Sequence, residues 1–188
     1  MNFENDIKKS IGIMQSGGII LYPTDTIWGI GCDATNAEAV KKIYQLKNRE
    51  EKKSMIILVA DETMIQNYVS DPSPKILSLI SSAQKPTTVI FKNAIHLPSQ
   101  LINEDGSIAI RIAKDDFCCQ LIQRFKKPIV STSANISGEP YPNNFQQISL
   151  EIKNGVDYIV QHRQDDYEIK SPSSIIRLND ENEIEVLR

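Results

Sequence analysis

The run Ile19-Ile20-Leu21-Tyr22 is apolar at every position and is stopped by Pro23. A strand with one wet face alternates apolar and polar residues, so an unbroken run predicts a strand covered on both sides. A sheet covered on both sides needs helices, and segments with helical periodicity flank this run. Ile7, Ile11 and Met14 recur at that spacing within residues 4–16, ahead of Gly17-Gly18, which suits a helix terminus. Asn36 can cap a second helix carrying Val40, Ile43 and Leu46. The alternation then continues. Further helices are predicted over residues 61–69, 73–83 and 144–154, and from Asp115 or Asp116 through Phe125. Strands are predicted over residues 55–59, 87–91, 107–111, 129–130, 156–160, 174–178 and 184–188, the last two joined by a turn at 179–182; residues 24–33 read as a loop. This order predicts one α/β domain, residues 1–188, built on a twisted mixed sheet flanked by helices, with a ligand crevice where loops leave the strand ends.

Charge and cysteine content narrow the chemistry. With 24 acidic and 21 basic residues the net charge is −3, so no global field draws in nucleic acid. No apolar run approaches the ~18 residues of a membrane span, and the acidic start of the chain lacks the basic-then-apolar order of a secretion signal. Three cysteines and two histidines give neither a disulfide framework nor a metal-ligand spacing, and a cytoplasmic location is expected. Cys118 and Cys119 stand beside Phe117 and Leu121 on a predicted helix, where packing is the expected role.

Three stretches carry ligand chemistry. From Pro128 to Pro140 a short apolar strand runs into Ser131-Thr132-Ser133-Ala134-Asn135, a row of donors that can form the floor of a polar site. On spacing alone the same row also reads as a loop that caps the next element. Lys47, Arg49, Lys52 and Lys53 cluster at a helix end; they can hold phosphate, or can be a solvated terminus in which Glu50 and Glu51 are mixed. Arg111 ends an alternating strand. Two nucleotide signatures fail. Gly29-Ile30-Gly31-Cys32-Asp33-Ala34 fits G-x-G-x-x-A in letters, but Pro23 to Trp28 separate it from the preceding strand, and no G-x-x-x-x-G-K-[ST] occurs.

Taken together, Tyr22-Pro23-Thr24-Asp25-Thr26, Gly29 to Ala34, Lys47-x-Arg49 and Ser131 to Gly138 resemble, in order and spacing, the YrdC-like family of threonylcarbamoyl-AMP synthases. The resemblance runs from about Gly17 to Arg188. It implies a nucleotidyltransferase that joins L-threonine, bicarbonate and ATP into threonylcarbamoyl-AMP and pyrophosphate, and hands the product to a separate transferase complex that modifies tRNA. It further implies that Thr26, Arg111, Ser131 and Ser174 hold threonine, and that Lys47, Arg49, Lys53, Ser107, Ser133, Asn135, Tyr141 and Arg188 surround ATP. Lys47 and Arg49 would be the catalytic pair, and Mg²⁺ would bridge phosphates with no dedicated protein metal site. A weak tRNA contact is compatible with it; membrane association is not expected.

The chain departs from the family pattern at Glu50, where a proline usually follows Lys-x-Arg, at Gln84 to Thr88, and at Ile112 to Asp115. Ending at Arg188, it is expected to lack the extra C-terminal domain of longer relatives, so that loops must close the site. The competing expectation is a non-catalytic YrdC-like module that binds RNA on a basic concave surface.

Overall fold

The computed structural model describes residues 3–50, 55–179, 181 and 183–188. Helix α1 (Glu4–Gln15) leads into β1 (Ile20–Tyr22) and β2 (Gly29–Gly31), followed by α2 (Ala37–Leu46) and β3 (Ile56–Val59). The chain continues through α3 (Glu62–Ile65), α4 (Pro74–Ser82), β4 (Thr87–Phe91), β5 (Ile108–Ile112), α5 (Asp116–Phe125) and β6 (Ile129–Ser133). It ends with α6 (Leu150–Asn154), β7 (Tyr158–Ile159), β8 (Ser174–Leu178) and β9 (Ile184–Val186). The strands form one mixed sheet in the order β7-β1-β2-β6-β3-β5-β4-β8-β9, with β1/β7, β3/β5 and β4/β8 parallel and the other pairs antiparallel.

The expected caps set the helix starts: Asn36 accepts from the Glu38 and Ala39 amides, and Asp115 from that of Cys118. Three expectations needed correction. The loop expected over residues 24–33 contains β2, whose Gly29 and Ile30 pair with Ser133 and Thr132. Glycine disfavours a strand interior unless another backbone comes close, and that is the case here. A Cβ on Gly31 would lie 2.6 Å from both the Tyr22 ring and the Val130 carbonyl oxygen. The helix expected over residues 61–69 is a single turn, because the chain beyond it bends to bridge Val69 to Ala94. The helix expected over residues 144–154 is split into a 3-10 turn, Phe145–Gln147, and α6. Asn144 caps the first piece and Ser149 the second, two side chains competing for backbone amides within five residues.

Strand alternation sends two sets of side chains to opposite sides of the sheet. Ile30, Ile57, Val59, Val89, Ile110 and Val130 pack with Val40, Ile43 and Tyr44 of α2 and Ile76 and Ile80 of α4. On the other face, Ile20, Tyr22, Leu58 and Ile129 meet Ile7 and Met14 of α1 and Phe117, Leu121 and Ile122 of α5. These two helices cover only part of that face. Beyond Ile129 and Leu58 the same face continues as Ser131, Ile56, Ala109, Arg111, Thr88, Ile90 and Ile175, matched by register across β6, β3, β5, β4 and β8. That stretch is the floor of a cavity.

Two glycine substitutions test this packing in opposite directions. Gly31→Ala should destabilise the protein by about 2 kcal/mol, since backbone and a packed ring must shift to admit a methyl group. Gly12→Ala, in α1 where a Cβ meets nothing within 4 Å, should stabilise it by up to ~1 kcal/mol. Urea denaturation midpoints read both; a neutral Gly31→Ala would contradict the close approach of β2 to β1 and β6.

Candidate active site

The cavity has a volume of about 750 Å³. Its walls come from the segment leading into β2 (Thr26, Trp28), the end of β6 (Ser131, Ser133), Arg49 beyond α2, and a strap, Ser171-Pro172-Ser173, ahead of β8. Arg49, Arg111 and Arg188 line it, and no Asp or Glu side chain does among the described residues. Tyr141, nearly half exposed, stands at its mouth.

Arg111 is 3% exposed. Its Nη1 donates to Thr26 Oγ1 at 2.9 Å and lies 3.1 Å from Asp25 Oδ1. The hydroxyls behind it form a directed chain. Thr24 Oγ1 donates to the Ile27 carbonyl at 2.8 Å, so across the 2.9 Å contact between the two threonines it is Thr26 that donates. Thr26 is thereby fixed as the acceptor for Arg111. Burial pushes the Asp25 carboxyl up, and Arg111 opposes that shift. One 3.1 Å ion pair is a poor match for a guanidinium with five N–H groups, and Arg111 Nε has no acceptor among the described residues. An anion entering the cavity would meet the remaining donors.

Lys47 and Asn135 brace the floor from outside the cavity wall. Lys47, 1% exposed, donates from Nζ to the carbonyls of Ser133 at 2.5 Å and Asn135 at 2.6 Å, and its own carbonyl accepts from the Ser137 amide at 2.8 Å. Asn135 Nδ2 donates to the Glu139 carbonyl at 2.6 Å. The Ser/Thr-rich row is thus an extended strand end tied to the α2 terminus. Asn48 turns left-handed, with φ 47°, and the Arg49 amide returns to the Tyr44 carbonyl at 2.9 Å, aiming Arg49 back over the floor. Burial and the neighbouring Arg49 guanidinium pull the Lys47 ammonium down to about 7.

The structure brings Thr26, Arg111, Ser131, Arg49, Ser133, Tyr141 and Arg188 together around one cavity. Ser107 is buried beneath its rim, and Lys53 lies outside the described residues. At Ser174 the placement differs from the expectation. Neighbouring residues of an extended chain face opposite ways, so Ser173 enters the cavity wall while Ser174 faces a shallower depression with Asp25 and Lys85. Ser173 Oγ shares a 2.8 Å hydrogen bond with Thr88, and its carbonyl accepts from Arg188 Nε at 3.2 Å and Nη2 at 3.1 Å. Parity with the buried Ile176 of β8 is the signal that separates the two serines. Asn103 also lines the cavity and was not anticipated; the turn-like Asn103-Glu104-Asp105-Gly106 was its only trace. Cys118 is buried in the core as expected, its thiol pushed well up by burial.

The family model for Sua5, YciO and YrdC, described as "Telomere recombination", matches residues 12–188. The threonylcarbamoyl-AMP synthase of Pseudoalteromonas translucida (strain TAC 125) is 33% identical over 142 residues, which cover 74% of this chain and 76% of that protein. The threonylcarbamoyl-AMP synthase of Coxiella burnetii (strain RSA 493 / Nine Mile phase I) is 29% identical over 161 residues, or 85% of this chain and 87% of that one. Among solved structures, P. abyssi Sua5 complexed with L-threonine shares the fold with a TM-score of 0.87 at 23% identity. That alignment covers 98% of this chain and 54% of the P. abyssi chain, so the chain spans about half the length of that neighbour. With the family match extending over nearly all of a nine-stranded mixed sheet and its cavity, the chain belongs to the Sua5/YciO/YrdC family.

Proposed function

We propose that this chain is an L-threonylcarbamoyladenylate synthase, which forms threonylcarbamoyl-AMP and pyrophosphate from L-threonine, bicarbonate and ATP. The observation that carries this reading is the cavity wall: three arginines and a set of hydroxyls, with no Asp or Glu among the described residues that line it, on a protein of net charge −3. Such a wall favours a polyanion together with a small polar acid. The relatives named threonylcarbamoyl-AMP synthase support the same assignment.

In this proposal the threonine carboxylate takes the remaining donors of Arg111, and its hydroxyl and amine lie among Thr26, Ser131 and Ser173. The amine adds to bicarbonate with loss of water, giving a carbamate. A carbamate oxygen then attacks the α-phosphorus of ATP, the bond to the β-phosphate oxygen breaks, and pyrophosphate leaves toward Arg49 and Ser133. This route needs no protein nucleophile, so rate acceleration rests on placing two reactants side by side and on fixed positive charge around the phosphates. Lys47 acts beneath them by holding the Ser133 and Asn135 carbonyls and through its charge. No group of three His, Cys, Asp or Glu able to hold a metal occurs among the described residues. Mg²⁺ would therefore ride on the triphosphate, whose charge it partly neutralises. We place Arg188 and Tyr141 at the nucleotide end. The product would pass to a transferase acting on tRNA in the cytoplasm, with at most weak direct contact between this chain and tRNA. A non-catalytic RNA-binding module would set its cations on an open face, whereas Arg111 is 3% exposed.

Pyrophosphate release should require ATP, threonine and bicarbonate together. Arg49→Ala should lower turnover by ~10- to 1,000-fold, the loss of one or two charge-assisted contacts, with little change in melting temperature. Release that ignores threonine, or a fully active Arg49→Ala, would contradict the proposal.

Lys47 supplies a pH signature. With its ammonium held near pH 7, it is mostly neutral at pH 8 in the free protein. A triphosphate nearby favours the charged form and raises that value, so ATP binding at pH 8 should take up a proton, approaching one per nucleotide. At pH 6 the lysine is already charged and the uptake should vanish. Calorimetry in buffers of different ionisation enthalpy measures this; binding at pH 8 without proton uptake would contradict it.

A further inference from the structure

Backbone pairing between β1 and β7 stops short of the segment that carries Asp25 and Thr26. Ile20 and Leu21 face Tyr158 and Ile159 in register, and the Val160 amide donates to the Leu21 carbonyl at 3.0 Å. Just past Pro23 the Thr24 carbonyl accepts from a side chain instead, Arg163 Nη2 at 2.9 Å. Arg163 does not line the cavity. It reaches Thr24 from behind the wall.

The chain before Arg163 is anchored to α1. The Gln161 and His162 amides donate to the Asp6 carboxylate at 3.1 and 2.9 Å, and the His162 ring packs against Phe3 and Phe117. Arg163 then turns left-handed, with φ 63°, a conformation that glycine takes freely and that strains a residue with a Cβ. Its side chain is only 20% exposed; Nη2 lies 3.6 Å from Asp115 Oδ1, the oxygen that caps α5, and Nε has no acceptor among the described residues. A glycine would make the same turn without strain and without taking a charge out of water. Backbone strain and a largely buried guanidinium at one position call for a role of the side chain itself.

We propose that Arg163 is a positioning residue for the acid-binding end of the cavity, acting through Thr24 and Thr26 to keep Arg111 available to a substrate carboxylate. The inference rests on the proposed binding of threonine here and adds a residue outside the cavity wall that tunes it. Thr24 is held at its carbonyl by Arg163 and at its hydroxyl by the Ile27 carbonyl. The same hydroxyl accepts from the Thr26 amide at 3.0 Å and from the Thr26 hydroxyl at 2.9 Å. Thr26 Oγ1 in turn accepts from Arg111 Nη1 at 2.9 Å. Asp25 competes for that guanidinium, its Oδ1 lying 3.1 Å from the same nitrogen. A carboxylate takes an arginine most strongly through two parallel bonds, and a Thr26 that holds Nη1 opposes such a closed pair with Asp25. If Thr24 drifts, Thr26 moves with it, Arg111 turns to Asp25, and the donors meant for the substrate are lost. The charge of Arg163 is matched by Asp115, so it aims the clamp without drawing an anion to itself.

Arg163→Gly tests this, because it removes the guanidinium while glycine suits the left-handed backbone, so the melting temperature should change little. Calorimetric affinity for L-threonine should fall ~10-fold, with affinity for ATP within about twofold of the wild type. L-Threoninol, which lacks the carboxylate, supplies the readout that a merely structural role does not move. Loosening of the fold weakens both ligands alike and leaves their ratio as it was, whereas a misdirected Arg111 should bring the preference for threonine over threoninol to within about threefold of unity. Arg163→Lys, which can still donate to the Thr24 carbonyl, should restore most of that preference. An unchanged ratio in Arg163→Gly, or an Arg163→Lys that behaves like Arg163→Gly, would overturn the inference. A preference for threonine that is present in the wild type and lost in Arg163→Gly, in a protein that releases no pyrophosphate, would contradict the synthase and leave the positioning role standing.

Discussion

A guanidinium buried in the middle of a sheet is costly, and Arg111 is placed there with an incomplete set of partners. Taking such a charge out of water costs several kcal/mol unless good geometry and further hydrogen bonds compensate. Asp25 and Thr26 meet only part of the demand, since Arg111 Nε has no acceptor among the described residues. The residual need for an anion is what makes the cavity a binding site. It also ties the site to the fold, because Asp25 and Thr26 lie on the segment between β1 and β2 and Arg111 on β5, and the sheet must be complete before they meet.

The uneven covering of the sheet follows from the same residues. On the face shared with α1 and α5, apolar side chains at Ile20, Tyr22, Leu58 and Ile129 call for helices above them. Where that face turns to Ser131, Arg111 and Thr88, a helix could not satisfy the polar groups, and loops and the 171–173 strap border the opening instead. Each strand thus carries both functions: β6 changes from core to cavity between Ile129 and Ser131, and β5 from aliphatic floor to charged floor between Ala109 and Arg111. The brace from Lys47 to the Ser133 and Asn135 carbonyls holds the far end of β6 without closing the cavity.

Much of this was legible in the residues. The unbroken run Ile19 to Tyr22 announced a sheet covered on both sides, Asn36 and Asp115 marked the helix starts they cap, and the alternation from Ser107 to Arg111 placed an arginine at a strand end. The resemblance to the YrdC-like family gathered residues from Thr26 to Arg188 around one site, and most of those described do line one cavity. What stayed hidden depends on long-range contact. β2 carries two glycines that local preference assigns to a loop, and only the approach of Tyr22 and Val130 explains them. Lys47 and Arg49 looked alike as cations, yet a left-handed Asn48 sends one beneath the floor and the other over it. Ser173 and Ser174 differ only in strand parity, and Asn103 reaches the cavity through a turn closed on Ser107.

Removing Arg111 would leave Asp25 as an uncompensated buried charge, so loss of stability would blur any loss of binding. Changing the ligand leaves the protein intact. Calorimetric titration with L-threonine and with L-threoninol, which keeps the amine, hydroxyl and methyl groups but has a hydroxymethyl group in place of the carboxylate, tests the pairing of Arg111 with an acid most directly. A charge-assisted bidentate contact in a buried site predicts that threoninol binds at least ~10-fold more weakly than threonine. Equal affinity for the two would contradict the claim that the unmet donors of Arg111 define this site.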